Sequence, residues 1–242
     1  MQKISKDNIH NFAFTNERAL AVAPRLVYFQ FHGLGQTALF PPDALSERDK
    51  AEGARGILRV HPYYGPWSWM NAEAVRYVDA VRDAVFERHG LPAGFPVVST
   101  GGSMGGLSCL VYALCSKHTP AAIAANCPVC DLPYHATERP DLPRTMYSAF
   151  AHYAGGIEAG LESASPLHQA GKMPRIPCLI VHSATDASVN KAAHSDKFVA
   201  AMRAASRPVE YIEVPVMPHC ALDTVPAVEK RYHDFIYSFA KS

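Results

Sequence analysis

Phe95-Pro-Val-Val-Ser-Thr-Gly101-Gly-Ser103-Met-Gly105-Gly-Leu107-Ser-Cys-Leu-Val-Tyr-Ala-Leu-Cys115 is the stretch from which the fold is read. An apolar run of strand length leads into Gly101-Gly102-Ser103-Met104-Gly105. A second apolar run follows, with the length and composition of a buried helix. G-x-S-x-G between a strand and a helix lifts a serine hydroxyl out at the strand end. Small flanking residues suit a turn where strand and helix nearly touch. The helix that starts there also aims free N–H groups and its positive end at the same spot. The five-residue pattern alone is weak, because glycine is common; the setting gives it meaning.

Working outward, Leu26-Val-Tyr-Phe-Gln-Phe31 and Gly56-Ile-Leu-Arg-Val60 read as buried strands. Asn71 is placed to cap a helix whose inner stripe is Val75, Val78, Val81, Val85 and Phe86, ended by Gly90 and Pro92. Phe95 to Thr100, Ala121 to Ala125, Ile176 to Val181 and Val209 to Val214 complete the strands. Helices are expected over Val189 to Ala205 and Val225 to Ala240, the last capped by Asp223 or Thr224. Strands alternating with helices imply an α/β fold, a mostly parallel sheet with helices on both faces. The rhythm breaks between about 127 and 173, which reads as a small helical insertion over the active site. Residues 1–242 are therefore read as a single domain with a cap-like insertion.

Composition narrows the function classes. Of 242 residues, 48% are hydrophobic and 19% charged, enough for a sizeable core. The net charge of +1 is not gathered into a basic block, which argues against nucleic acid or an anionic membrane as partner. Met1 to His10 is polar, without an apolar leader core, and no run reaches membrane-spanning length, so the expected location is cytoplasmic. Cys109, Cys115 and Cys178 lie in apolar runs and read as inert core thiols. Cys127-Pro-Val-Cys130 has redox-type spacing but follows a strand rather than opening a helix, and two reduced thiols are the preferred reading.

Serine is a poor nucleophile at neutral pH and needs a histidine base, itself oriented by a carboxylate. Among 12 histidines, His219 follows the last strand, just before the last helix. Asp186 follows the Ile176–Val181 strand after a short loop. Ser103, Asp186 and His219 are thus the expected catalytic residues, each just beyond a strand end, where such sheets bind ligands. Asp186 could alternatively cap a helix ahead of Val189; Asp131 is the rival acid, and His182 and His194 are rival bases. An oxyanion hole is expected from the backbone N–H of Met104 and, on His32-Gly33-Leu34-Gly35-Gln36, the N–H of Leu34, with Gly33 or Gly35 as alternatives. Gly33, Tyr64, Trp67 and Tyr134 are the expected substrate-binding residues. Tyr63 and Trp69 share the aromatic loop, and Arg139 and Arg144 are candidates for a substrate carboxylate.

The chain resembles the α/β-hydrolases. Its C-terminal half is similar to the single-domain esterases and peptidases related to prolyl oligopeptidase and dienelactone hydrolase. The carrying residues are Gly101 to Gly106, Ser165-Pro166, Ile176 to His182 with Asp186 and Val189, and Val214-Pro215 with His219. The order Ser103, Asp186, His219 is the one that resemblance implies. His182-Ser183 stands where relatives often have His-Gly, and Cys220 stands beside the histidine where glycine is usual. The segment before Leu26 leaves little room for the usual first hairpin. The resemblance implies a serine hydrolase of small or medium acyl esters, with a small serine peptidase or acyl-peptide hydrolase second. A non-catalytic ligand-binding protein on the same fold is the remaining alternative. No cofactor or metal is expected; the expected partner is a small ester or short peptide, and a homo-oligomer is compatible with the sequence.

Overall fold

The computed structural model describes residues 3–241 apart from 39, 42 and 43. Seven strands, β1 (Ala13–Thr15), β2 (Leu26–Phe31), β3 (Ile57–Pro62), β4 (Val97–Gly102), β5 (Ala122–Asn126), β6 (Cys178–Ser183) and β7 (Glu210–Val214), form one sheet. Their spatial order is β1-β3-β2-β4-β5-β6-β7, and all pairs are parallel except β1 with β3. The expected first hairpin is thus reduced to one three-residue antiparallel strand.

The pleat sorts the core into two layers. Val27, Phe29 and Phe31 of β2, with Ile123 and Ala125 of β5, face one layer. That layer is completed by α2 (Ala72–His89), α3 (Met104–Cys115) and α7 (Lys197–Ala204). Leu26, Tyr28, Ala122, Ala124, Leu179 and Val181 face the other, covered by Tyr232 and Ile236 of α8 (Pro226–Tyr237). The short α1 (Glu47–Ala54), closed by a Ser46–Asp49 capping box, also lies on this face, where its Glu52 accepts from the Tyr28 hydroxyl at 2.8 Å.

Asn71 caps α2, its side chain accepting from the N–H of Ala74, and Gly90 closes the helix in the left-handed conformation, as the sequence predicts. Three details differ. The helix expected from Val189 opens instead as a π-helical turn, Ala192–Asp196, and becomes α-helical only at Lys197. Neither Asp223 nor Thr224 caps α8; both sit in a 3-10 turn, and Val225 precedes the helix without a side-chain cap. Pro226 at the first turn has no N–H, which removes one of the free donors at the start of the helix. Cys115, expected in the core, ends α3 and is exposed.

Between β5 and β6 lie α4 (Leu132–Glu138), α5 (Leu142–Phe150) and α6 (Gly156–Ser163). Their inward residues Leu132, Leu142, Met146, Phe150 and Leu161 join the first core layer. His135 and Arg139, from α4 and its end, line the cleft that holds Ser103. No described helix is long and apolar enough to cross a membrane.

Candidate active site

The serine turn is tight because two glycines let backbones meet. A Cβ on Gly101 would collide with the Gly105 carbonyl, and one on Gly105 with the Phe31 carbonyl. Ser103 between them has φ +58°, a left-handed conformation that costs a non-glycine residue about 1–3 kcal/mol. The turn is held by the Ser103 N–H donating to the Asn126 carbonyl at 3.0 Å. Strain fixed by surrounding packing is how the fold keeps the hydroxyl in a cleft of about 600 Å³ at the C-terminal ends of the parallel strands.

Asp186 and His219, 33 residues apart, meet at the same cleft. His219 Nδ1–H donates to Asp186 Oδ2 at 2.7 Å, which leaves the Nε2 lone pair free in the neutral ring. Asp186 Oδ1 accepts from the N–H groups of Ser188 at 2.8 Å and Val189 at 3.1 Å. The turn-capping role and the partnership with His219 therefore coexist, one on each carboxylate oxygen. Burial favours the neutral acid, but hydrogen bonds from His182, His219 and the two amides outweigh it and hold Asp186 far below the usual carboxylate range. Burial likewise pushes His219 down, yet Asp186 and then Cys127 outweigh it and raise the imidazole to about 9.

His182, a rival base on sequence grounds, serves Asp186 instead. It is wholly buried, with Nδ1 2.6 Å from Ser195 Oγ and Nε2 3.2 Å from the Val189 carbonyl. A carbonyl only accepts, so Nε2 carries the proton, and it points at Asp186 Oδ2 from 3.4 Å. The other rivals also stand apart from His219. Asp131 caps α4 through the N–H of Tyr134 and faces His168 at 3.4 Å. His194 is buried, its Nδ1 accepting from the N–H groups of Cys130 at 3.1 Å and Asp131 at 3.2 Å.

The serine hydroxyl has no hydrogen-bond partner among the described residues, while His219 Nε2 lies 3.6 Å from Cys220 Sγ. Nucleophile–base contacts are often long before substrate arrives. Two backbone donors flank the cleft. Met104 opens α3, so its N–H has no partner within the helix. On the loop after β2, Gly33 N–H is taken by Gln36 Oε1 at 3.0 Å and Gly35 N–H by the Pro66 carbonyl at 2.9 Å. The N–H of Leu34 is left, and Gly33 and Leu34 line the cleft.

The expected aromatic lining is corrected. Tyr64 is 5% exposed; its hydroxyl donates to the His32 carbonyl at 2.9 Å, and its ring packs against Phe31 and His32. Burying a phenol requires such a partner, and the partner turns the ring into the core. Trp67 is 52% exposed and lies outside the cleft lining, near Gly35. Tyr134 borders a neighbouring depression with Asp186 and Asn190. Trp69 is wholly buried in the wall of the cleft, its Nε1–H donating to Thr145 on α5 at 3.0 Å. Arg139 lines the cleft and pairs with Asp141, whereas Arg144 is exposed and outside it.

Three side-chain groups among the described residues have the composition of metal ligands; in one, Cys127, His182 and Asp186, the His182 Nε2 lone pair is lost to the proton that faces the Val189 carbonyl. Glu138 Oε2 bridges His135 and His194. Since His194 Nδ1 accepts two backbone N–H groups, its Nε2 carries a proton and donates to Glu138 at 2.9 Å, leaving no lone pair for a metal. This group clamps α4 to the π-helical turn, and Glu138 also accepts the N–H of Asn190 at 3.0 Å. Burial raises the Glu138 carboxyl, but both histidines outweigh it and bring it to about 2. The third group joins Cys127, His219 and Cys220. Cys127 and Cys130, paired by spacing in the sequence, face opposite core layers, so the neighbour of Cys127 is Cys220. The residue missed from sequence is Asn126, whose Nδ2 donates to the Cys220 carbonyl at 3.0 Å; His182 enters the sequence reading only as a rival base, and Cys220 only as a departure beside the histidine. His182 carried a signal, four residues before Asp186 at a strand end; a contact across 94 residues carries none.

The profile of the prolyl oligopeptidase family, Peptidase_S9, matches residues 79–242. No curated protein sequence matches the chain. Among solved structures, a Pyrococcus horikoshii acylaminoacyl peptidase superposes with a TM-score of 0.69 at 14% identity, over 90% of this chain and 37% of its own. Porphyromonas gingivalis dipeptidyl peptidase 4 gives 0.69 at 17% identity, over 89% of this chain and 31% of its own. Thermogutta terrifontis esterase 2 gives 0.61 at 16% identity, over 91% of this chain and 87% of its own. The chain therefore spans about a third of the peptidases it matches and most of the esterase.

Proposed function

This chain belongs to the prolyl oligopeptidase family, and from that premise we propose that it is a serine hydrolase working through an acyl-enzyme on Ser103. The observation that carries the reading is the Asp186–His219 hydrogen bond of 2.7 Å on the rim of the cleft that holds Ser103. His219 Nε2 takes the Ser103 proton as Oγ attacks an acyl carbonyl. The N–H groups of Met104 and Leu34 receive the oxyanion. His219 then protonates the leaving group and afterwards activates water for deacylation. Asp186, fixed by His182 and two amides, keeps the imidazole in the tautomer this needs.

The substrate is a small or medium acyl ester. Leu34 offers limited apolar surface beside Gln36 and Arg139, with Trp69 and Val189 buried in the wall behind, which suits a short acyl group better than a long chain. The second reading, a small serine peptidase or acyl-peptide hydrolase, is favoured by the family match and by the same polar lining. The test is turnover of nitrophenyl esters of graded acyl length against acylaminoacyl and aminoacyl nitroanilides, with Ser103→Ala alongside. Ester turnover that falls roughly 10⁶-fold in the variant supports the proposal; anilide turnover of comparable efficiency moves the peptidase reading ahead. Undiminished turnover in Ser103→Ala removes Ser103 as nucleophile.

A further inference from the structure

Cys127 and Cys220 come from opposite ends of the second half of the chain, yet their thiols and the His219 ring nitrogen lie within 4.8 Å of one another. Both residues hold left-handed backbone, φ +45° and +59°, a conformation unusual for cysteine. Cys127 is wholly buried behind the histidine, while Cys220 and His219 line the cleft. We propose that Cys127, Cys220 and His219 Nε2 form a binding site for a thiophilic divalent cation such as Zn²⁺, which when bound switches the hydrolase off.

Three features carry this. The first is distance. Zinc bonds of about 2.3 Å to sulfur and 2.0–2.1 Å to nitrogen, at tetrahedral angles, give an S···N edge of about 3.5 Å, and Cys220 Sγ stands 3.6 Å from His219 Nε2. The second is ligand orientation. A metal-bound imidazole usually gives its other N–H to a carboxylate, which exposes the lone pair and fixes the ring; His219 Nδ1–H does this to Asp186 at 2.7 Å. In the His135–Glu138–His194 group the corresponding lone pair is consumed. The third is the open side. Two ligands line the cleft, so a fourth tetrahedral position faces solvent or a bound anion. Binding displaces two thiol protons to give a bis-thiolate, mono-imidazole complex, with no change of oxidation state.

The consequence rests on the proposed function: the Nε2 lone pair that would accept the Ser103 proton is then held by the metal. Binding itself can be read without turnover. Cd²⁺ titrated into the Cys115→Ser protein under a phosphine reductant should give a thiolate-to-metal ultraviolet band saturating at one ion per chain. Cys127→Ser and Cys220→Ser should each remove about half of it. Zn²⁺ should inhibit ester turnover. Each substitution, measured against its own metal-free rate, should raise the half-inhibitory concentration by more than the roughly 10–100-fold that outer-sphere changes cost. Either variant suffices if the other does not fold. A band without turnover on any substrate would uphold the site and sink the hydrolase reading. Absence of a band, a band indifferent to both substitutions, or inhibition seen only without reductant would overturn the site.

Discussion

His219 with Asp186 and His194 with Glu138 are built from the same two chemical groups, and the fold uses them in opposite ways. In the first pair the carboxylate takes Nδ1–H, and Nε2 faces the cleft. In the second, backbone N–H groups take Nδ1, and the carboxylate takes Nε2. One imidazole keeps a lone pair to spend on chemistry; the other has none. Their proton affinities diverge accordingly. Asp186 and Cys127 overcome burial and raise His219 to about 9. Burial, aided by His135, lowers His194 despite Glu138. What separates the pair proposed to react from the structural clamp is which nitrogen meets the acid and what stands at the other.

The comparison breaks first at the bases. His219→Ala should lower kcat by roughly 10⁵–10⁶ with little change in Tm. His194→Ala should leave kcat within about tenfold and destabilise the fold by about 1–3 kcal/mol, because two buried N–H groups lose their acceptor. Steady-state kinetics and thermal melts on both variants decide it, and equal kinetic losses would erase the distinction. The acids come next: Asp186→Asn should cost about 10⁴ in kcat by favouring the wrong tautomer, whereas Glu138→Gln should act mainly on Tm. The smallest effects are in pH. Catalysis needs neutral His219, so kcat/KM should rise with pH to a midpoint near 9. Stability runs the other way: the contribution from protonated His219 is full below 6.5 and is lost as pH rises through about 9. The Glu138 contribution is full above 4.5 and is lost only as pH falls through about 2. A kcat/KM profile with its midpoint near 6.5 would show that the Asp186 contact is weaker in solution than its geometry implies.

The sheet, the serine turn and the insertion were legible because each rests on a local signal: strand-length apolar runs, a glycine-flanked serine, a broken rhythm. That Ser103 and His219 border one cleft, and that His219 meets Asp186, could be anticipated because all three lie in loops just beyond strand ends. The aromatic lining was not. Tyr64, Trp67 and Trp69 are neighbours in one loop, and only the path of the backbone decides that Tyr64 and Trp69 turn to the core and Trp67 to solvent. Contacts closed by the sheet, such as Cys127 with Cys220 or Asn126 with the Cys220 carbonyl, leave no trace in spacing. There the C-x-x-C spacing is silent about Cys220, the thiol that stands beside Cys127.

The loop bearing His219 leaves β7, the edge of the sheet, whose residues are mostly half-exposed, whereas Ser103 leaves β4 near its buried centre. Edges open at lower free energy than centres. Chemistry that needs both is therefore a local thermometer. On warming or mild denaturation, turnover should fade as the rim frays, while the buried strands still report an intact protein.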